Sequence, residues 1–136
     1  MGEITIYSDG AARGNPGPAG AGAVLTDASG KVVGEVCRYL GDGMTNNQAE
    51  YNALLLALKE AEKRGATRVS VFADSELMVK QIMGEYKVKN EGIKPLHAEA
   101  VSILRRFGGY SIAYVPREKN KRADKLANLA IDGQML

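Results

Sequence analysis

A chain of 136 residues, 45% hydrophobic and 25% charged, suits one soluble globular domain and is too balanced for a disordered or fibrous protein. Its apolar run Ala53–Leu58 is far shorter than the ~20 residues of a membrane-spanning helix, and no basic-then-apolar leader opens the chain. The single cysteine, Cys37, excludes an intramolecular disulfide and points to the cytoplasm.

Residues 3–9 alternate as a strand that ends in Asp9. Gly10 to Gly22, rich in Gly, Ala and Pro, reads as a loop that runs into the next strand. Its spacing fits neither the Walker pattern nor a dinucleotide fingerprint. Strands over 20–27 and 31–39 flank the turn Ala28-Ser29-Gly30, and Gly41-Asp42-Gly43 is a loop. Thr45 with Gln48 three residues on forms a capping box, opening a helix that runs to about Arg64 and stops at Gly65. A strand over 68–73 ends at Asp74, and a helix follows from Ser75 to about Met83. After a basic segment, Gly84–Gly92, Lys94-Pro95 begins a helix that ends near Gly108-Gly109. The last strand covers 110–115, Pro116–Asn120 is a loop, and the final helix runs from Lys121 to Ile131. The order βββαβααβα predicts an α/β domain over residues 1–136: a mixed five-stranded sheet, three strands antiparallel and two added in parallel, covered by helices. Cys37, within a strand, reads as a small buried apolar residue, and the only histidine, His97, as a half-buried packing residue of its helix.

Four carboxylates stand where an acid is locally out of place. Asp9 and Asp74 close apolar strands, Glu50 lies in line with Ala53, Leu54, Ala57 and Leu58, and Asp124 borders the stripe Ala123, Leu126, Ala127, Ala130. Buried carboxylates need compensation, and one shared divalent cation site is the simplest source. Charge is also uneven. Residues 77–125 carry eleven Lys or Arg against five acids, which suits a phosphate-backbone ligand or a solvated charged face.

Tyr7-Ser8-Asp9-Gly10-Ala11 followed by Gly14-Asn15-Pro16-Gly17, then Thr45-Asn46-Asn47-Gln48-Ala49-Glu50, Asp74-Ser75 and Ala123-Asp124-Lys125-Leu126-Ala127 resemble, in order, the four motifs of the type 1 ribonuclease H family. The resemblance covers essentially the whole chain. It implies the ribonuclease H-like fold and an endonuclease that cuts the RNA strand of RNA–DNA hybrids, leaving 5′-phosphate and 3′-hydroxyl ends. In that family the four carboxylates hold two Mg²⁺ ions, for which Mn²⁺ can substitute. The implied ligands here are Asp9, Glu50, Asp74 and Asp124. Hard oxygen donors suit Mg²⁺, and a two-metal site needs no protein nucleophile.

The resemblance also implies substrate contacts. Asn15, Asn47 and Gln48 would read the hybrid's minor groove, and Gly10, Arg13 and Gly14 would lie along the RNA. Asn46 and the helix start at Ser75 would meet the DNA strand. Many relatives carry a histidine in the loop before the last aspartate; here that loop reads Val115-Pro116-Arg117-Glu118-Lys119-Asn120. Glu118 could move a proton or loosen a metal there, or Arg117 could bind phosphate. The basic Trp-rich protrusion of some relatives is missing, since the chain has no Trp and Gly84–Lys94 is short. No hybrid-binding domain is recognised and no obligate protein partner is called for, so a monomer is expected. The competing readings are a nuclease that also cuts double-stranded RNA, a non-catalytic hybrid-binding module, and a transposase or integrase of the same broad fold.

Overall fold

Alternation sets the first strand: Ile4, Ile6 and Ser8 are buried while Glu3, Thr5 and Tyr7 are less so, as period-2 geometry requires. The computed structural model describes residues 2–135. Its elements are β1 (Glu3–Ala12), β2 (Gly17–Thr26), β3 (Val32–Met44), α1 (Asn46–Lys63), β4 (Arg68–Ala73), α2 (Glu76–Ile82), α3 (Lys94–Arg106), β5 (Gly109–Tyr114), a 3-10 turn at Arg117–Lys119, and α4 (Lys121–Met135). The sheet order is β3-β2-β1-β4-β5. β1 runs antiparallel to β2 and parallel to β4; β2–β3 is antiparallel and β4–β5 parallel. The expected mixed sheet and element order are therefore present. Among the described residues no helix is long and apolar enough to cross a membrane.

The Gly- and Ala-rich stretch differs from expectation. Only its centre turns; Gly10–Ala12 extend β1 and Gly17–Gly22 belong to β2. The reason is close packing. Opposed residues of an antiparallel pair share a face, so Gly10 with Ala21 faces one side of the sheet and Asp9 with Gly22 the other. A Cβ at Gly10 would collide with the α1 backbone at Ala49 and Glu50, and one at Gly22 with the α4 backbone at Ala123 and Ala127. Glycine in these strands marks helix backbones resting directly on the sheet. β3 is likewise longer than expected, absorbing Gly41-Asp42-Gly43 through positive-φ glycines and a register irregularity. Pro116–Asn120 contains the 3-10 turn, and α4 continues past Ile131.

α1 starts as its sequence dictates: the Thr45 side chain accepts from Gln48 N–H, and the Gln48 side chain accepts from Thr45 N–H. Such a cap stabilises by ~1 kcal/mol. Its Leu54, Ala57, Leu58 and Ala61 are buried and join Ile6, Leu25, Val71, Ile103 and Leu104 in one core. Arg106 grips Glu62 through two bonds of 2.8 and 2.7 Å, tying α3 to α1. Exposed pairs of this kind add ~0.2–1 kcal/mol. Cys37 is exposed, a correction to the buried position expected: its strand β3 is the sheet edge, and the side chain lies beside the Leu126 carbonyl of α4 at 3.2 Å. His97 is half-buried as expected, 3.1 Å from the Gln81 carbonyl and edge-on to Tyr51.

The glycine packing is testable by urea denaturation. Gly22→Ala should destabilise by ~1–3 kcal/mol, since neither backbone can retreat freely. Gly133→Ala, in α4 with open space around it, should instead stabilise by ~0.5–1 kcal/mol. Equal effects at the two positions would sink the packing explanation.

Candidate active site

The parallel register of β1 and β4 pairs Ser8 with Ala73, so the next residues, Asp9 and Asp74, emerge side by side at the carboxyl edge of the sheet. α1 crosses this edge and delivers Glu50 from its second turn. One oxygen from each of Asp9, Glu50 and Asp74 can be chosen such that all three lie within 4.8 Å of one another. Asp9 is 3% and Glu50 5% exposed, which places the negative charge inside the protein. The Gly10 N–H donates to Glu50 Oε1 at 2.9 Å, fixing the α1 carboxylate against β1. Both oxygens of Asp74 are buried and have no hydrogen-bond partner.

The electrostatic consequence is large. Burial, then the charges of Glu50 and Asp74, push the Asp9 carboxyl up to about 11. Burial, then Asp74, push Glu50 up to about 8, against the opposing hydrogen bond from Gly10. Without a counter-ion the cluster therefore keeps protons. Asp124, in the first turn of α4, is not among the three whose oxygens converge. It adds to the upward push on the Asp9 carboxyl, and Asn128 Nδ2 bonds its carbonyl at 3.0 Å and its Oδ1 at 3.3 Å. Buried carboxylate oxygens without donors are what a hard divalent cation satisfies, and no softer sulfur or imidazole ligand joins the three.

The other expected site residues fall into two groups. Asn46, Asn47 and Gln48 form the opening turn of α1, on the helix that carries Glu50. Asn47 Oδ1 is buried without a partner, whereas Gln48 Oε1 is occupied by the cap. Asn15, exposed in the β1–β2 turn, uses its Oδ1 to accept the Asn46 N–H at 3.0 Å, docking that turn to the helix start. Gly14 is exposed beside it at φ +105°. Gly10 supports Glu50 and is covered by α1. Ser75 Oγ caps α2 by accepting the Met78 N–H at 3.2 Å. Arg13 turns to α4, bonding Asp132 at 2.5 Å and Asn128 Oδ1 at 3.2 Å. Arg117 and Glu118 are exposed on the 3-10 turn, and neither joins the carboxylate group found among the described residues.

Sequence reasoning missed Asn120. It is 2% exposed, and its Nδ2 donates to the Ser8 carbonyl at 2.9 Å. Only its place directly before the last helix, where Asn is a common cap residue, hinted at a structural task.

Comparison with known proteins gives a consistent result. The reverse transcriptase-like family model matches residues 7–130. The bifunctional protein Rv2228c of Mycobacterium tuberculosis is 41% identical over 130 residues, 96% of this chain but 36% of that protein. Ribonuclease HI of Halobacterium salinarum is 42% identical over 131 residues, 96% of this chain and 65% of that one. The chain thus spans between about a third and two thirds of the length of these curated relatives. The crystal structure of the Halobacterium salinarum RNase H1 superposes with a TM-score of 0.94 at 42% identity, covering 97% of this chain and 99% of that one. LC11-RNase H1, isolated from compost by a metagenomic approach, has been solved in complex with an RNA/DNA hybrid. That structure superposes with a TM-score of 0.92 at 44% identity, covering 98% and 99% of the two chains.

Proposed function

The chain belongs to the type 1 ribonuclease H family, and we propose that it hydrolyses the RNA strand of RNA–DNA hybrids at a site of two divalent cations, leaving 5′-phosphate and 3′-hydroxyl ends. The observation that carries this reading is the convergence of Asp9, Glu50 and Asp74, with both Asp74 oxygens buried and unpartnered. An all-oxygen donor set favours Mg²⁺, with Mn²⁺ able to substitute. When bound, the cations supply the lowered water pKa and the counter-charge that phosphodiester hydrolysis needs.

The chain's own residues do the rest. Asp9, Glu50, Asp74 and Asp124 would hold the cations, and the Gly10 N–H fixes the Glu50 carboxylate beside Asp9. Asn47 and Gln48 meet the hybrid's minor groove from the α1 start, with Asn15 bracing that turn and Gly14 beside it. Asn46 and Ser75 lie toward the DNA strand and Arg13 borders the RNA path, while Gly10, packed under α1, serves the RNA side only through Glu50. In place of the loop histidine of relatives, Glu118 moves a proton or loosens a metal, or Arg117 binds a backbone phosphate. The same reading makes the protein a cytoplasmic monomer without an obligate protein partner. The Halobacterium and LC11 relatives, named as ribonucleases H, support the activity, and the LC11 complex supports the substrate.

The test is cleavage of a strand-labelled hybrid with Mg²⁺, beside double-stranded RNA, single-stranded RNA and duplex DNA. Cuts confined to the hybrid's RNA strand are expected. Additional cuts in double-stranded RNA would widen the substrate class, and binding without cleavage under either cation would replace the enzyme by a hybrid-binding module.

A further inference from the structure

We propose that Asn120 is a positioning residue of the carboxylate site, clamping the first turn of α4 to β1 so that Asp124 is held against Asp9. The inference rests on the nuclease reading only for its effect on turnover; the clamp itself is a matter of this chain's packing.

Two anchors flank Asp124. Asn120 is buried, and its Nδ2 reaches the Ser8 carbonyl at 2.9 Å, across 112 positions of sequence. Its own carbonyl accepts the Asp124 N–H at 3.1 Å, so the residue that grips β1 also starts the helical turn bearing Asp124. The second anchor is Gly22, opposite Asp9 in the β1–β2 ladder, where the Ala123 carbonyl occupies the space of a missing Cβ. Asn120 thus holds α4 beside residue 8 and Gly22 seats it opposite residue 9. α4 is also seated farther along by Gly20 and Arg13, but the Asn120 and Gly22 contacts are the ones at its first turn, next to Asp124.

Stability alone does not account for an asparagine here. Its Oδ1 is buried without a partner, and an orphaned acceptor costs free energy that an apolar side chain of similar volume would not. A locally costly group beside a functional cluster is the pattern expected where position matters more than stability. Groups that orient metal ligands from behind typically change affinity or activity by 10–100-fold when removed.

Asn120→Leu keeps the volume and removes the clamp. Its melting temperature should stay within about 5 °C of wild type, since relief of the orphaned Oδ1 offsets the Ser8 carbonyl left unpaired. Mn²⁺ affinity, read by calorimetry on protein without nucleic acid, should fall about tenfold. Hybrid turnover should fall in kcat by about 10–100-fold, with KM within about twofold. In a cycle with Asp124→Asn, the double variant should bind Mn²⁺ no more weakly than Asp124→Asn alone, because both changes remove the same ligand's contribution. An additive cycle, or unchanged Mn²⁺ affinity in Asn120→Leu, would overturn the proposal. Hydrogen exchange at the Asp124 amide separates the two readings. If wild type neither binds Mn²⁺ nor cleaves, faster exchange in Asn120→Leu still supports the clamp while the nuclease reading fails; unchanged exchange rejects the clamp too. Asn120→Ala, which also removes the donor, takes the same measurements with the same expected outcomes if leucine prevents folding.

Discussion

Asp74→Asn is expected to abolish cleavage of an RNA–DNA hybrid, with kcat falling by roughly 10³ or more, while the metal-free protein becomes more stable. The two halves of this result have one cause. Both Asp74 oxygens are buried without a donor, and they face Asp9 and Glu50 in a cluster tight enough to share a cation. An amide keeps the shape, removes the charge and supplies a donor to the neighbouring carboxylates. Relief of that repulsion is worth ~1–2 kcal/mol, a rise of about 3–8 °C in the melting temperature in EDTA. Loss of a ligand charge removes the electrostatic stabilisation on which metal-assisted hydrolysis depends. Asp9→Asn should behave alike, because the Asp9 carboxyl carries the larger upward push from burial and from the other two charges. Calorimetric melting and a labelled-hybrid assay decide the matter. Near-normal Mg²⁺-dependent turnover, or a lower melting temperature in EDTA, would remove these residues from the site.

What could be read in the sequence follows from the range of the forces involved. Asp9, Glu50, Asp74 and Asp124 were visible because each interrupts an apolar pattern, and period-2 and period-3.6 alternation are local signals. The α1 cap was visible for the same reason, as Thr45 and Gln48 lie within one turn. The structure draws Asp9, Glu50 and Asp74 together, while Asp124, on the first turn of α4, stands outside that group of three. The span of β2 was hidden because Gly20 and Gly22 carry strand conformation for the sake of α4, about a hundred residues later. A local reading meets such glycines as turn signals. Cys37 was misplaced because the sequence does not announce that β3 is a sheet edge. Asn120 escaped for a similar reason: its partner is a backbone carbonyl, which has no sequence signature.

The carboxylate cluster should also make metal-free stability fall as pH rises. Unfolded, Asp and Glu carboxyls titrate near 4. Folded, Glu50 is pushed up to about 8 and Asp9 up to about 11, so the folded state keeps protons that the unfolded state has released. The stabilisation from these two groups is complete below about pH 4 and declines through neutrality and beyond, as the two raised carboxyls give up their protons. Two fully retained protons would give about 2.7 kcal/mol per pH unit; relaxation and water entry admit part of the charge, so on the order of 1 kcal/mol per unit is expected between pH 5 and 8. Saturating Mg²⁺ should flatten that slope, because a cation held by the same oxygens displaces the protons. Urea midpoints across this range, in EDTA and in Mg²⁺, measure both slopes. Asp9→Asn should reduce the EDTA slope, since one of the two proton-retaining groups is gone. Metal-free stability that is flat or rises from pH 5 to 8 would mean that the cluster is already ionised and solvated. A slope unchanged by Mg²⁺ would mean that the cation does not enter among these carboxylates. The same linkage requires cation binding to release protons, so the apparent binding heat near pH 7 should vary with the ionisation enthalpy of the buffer.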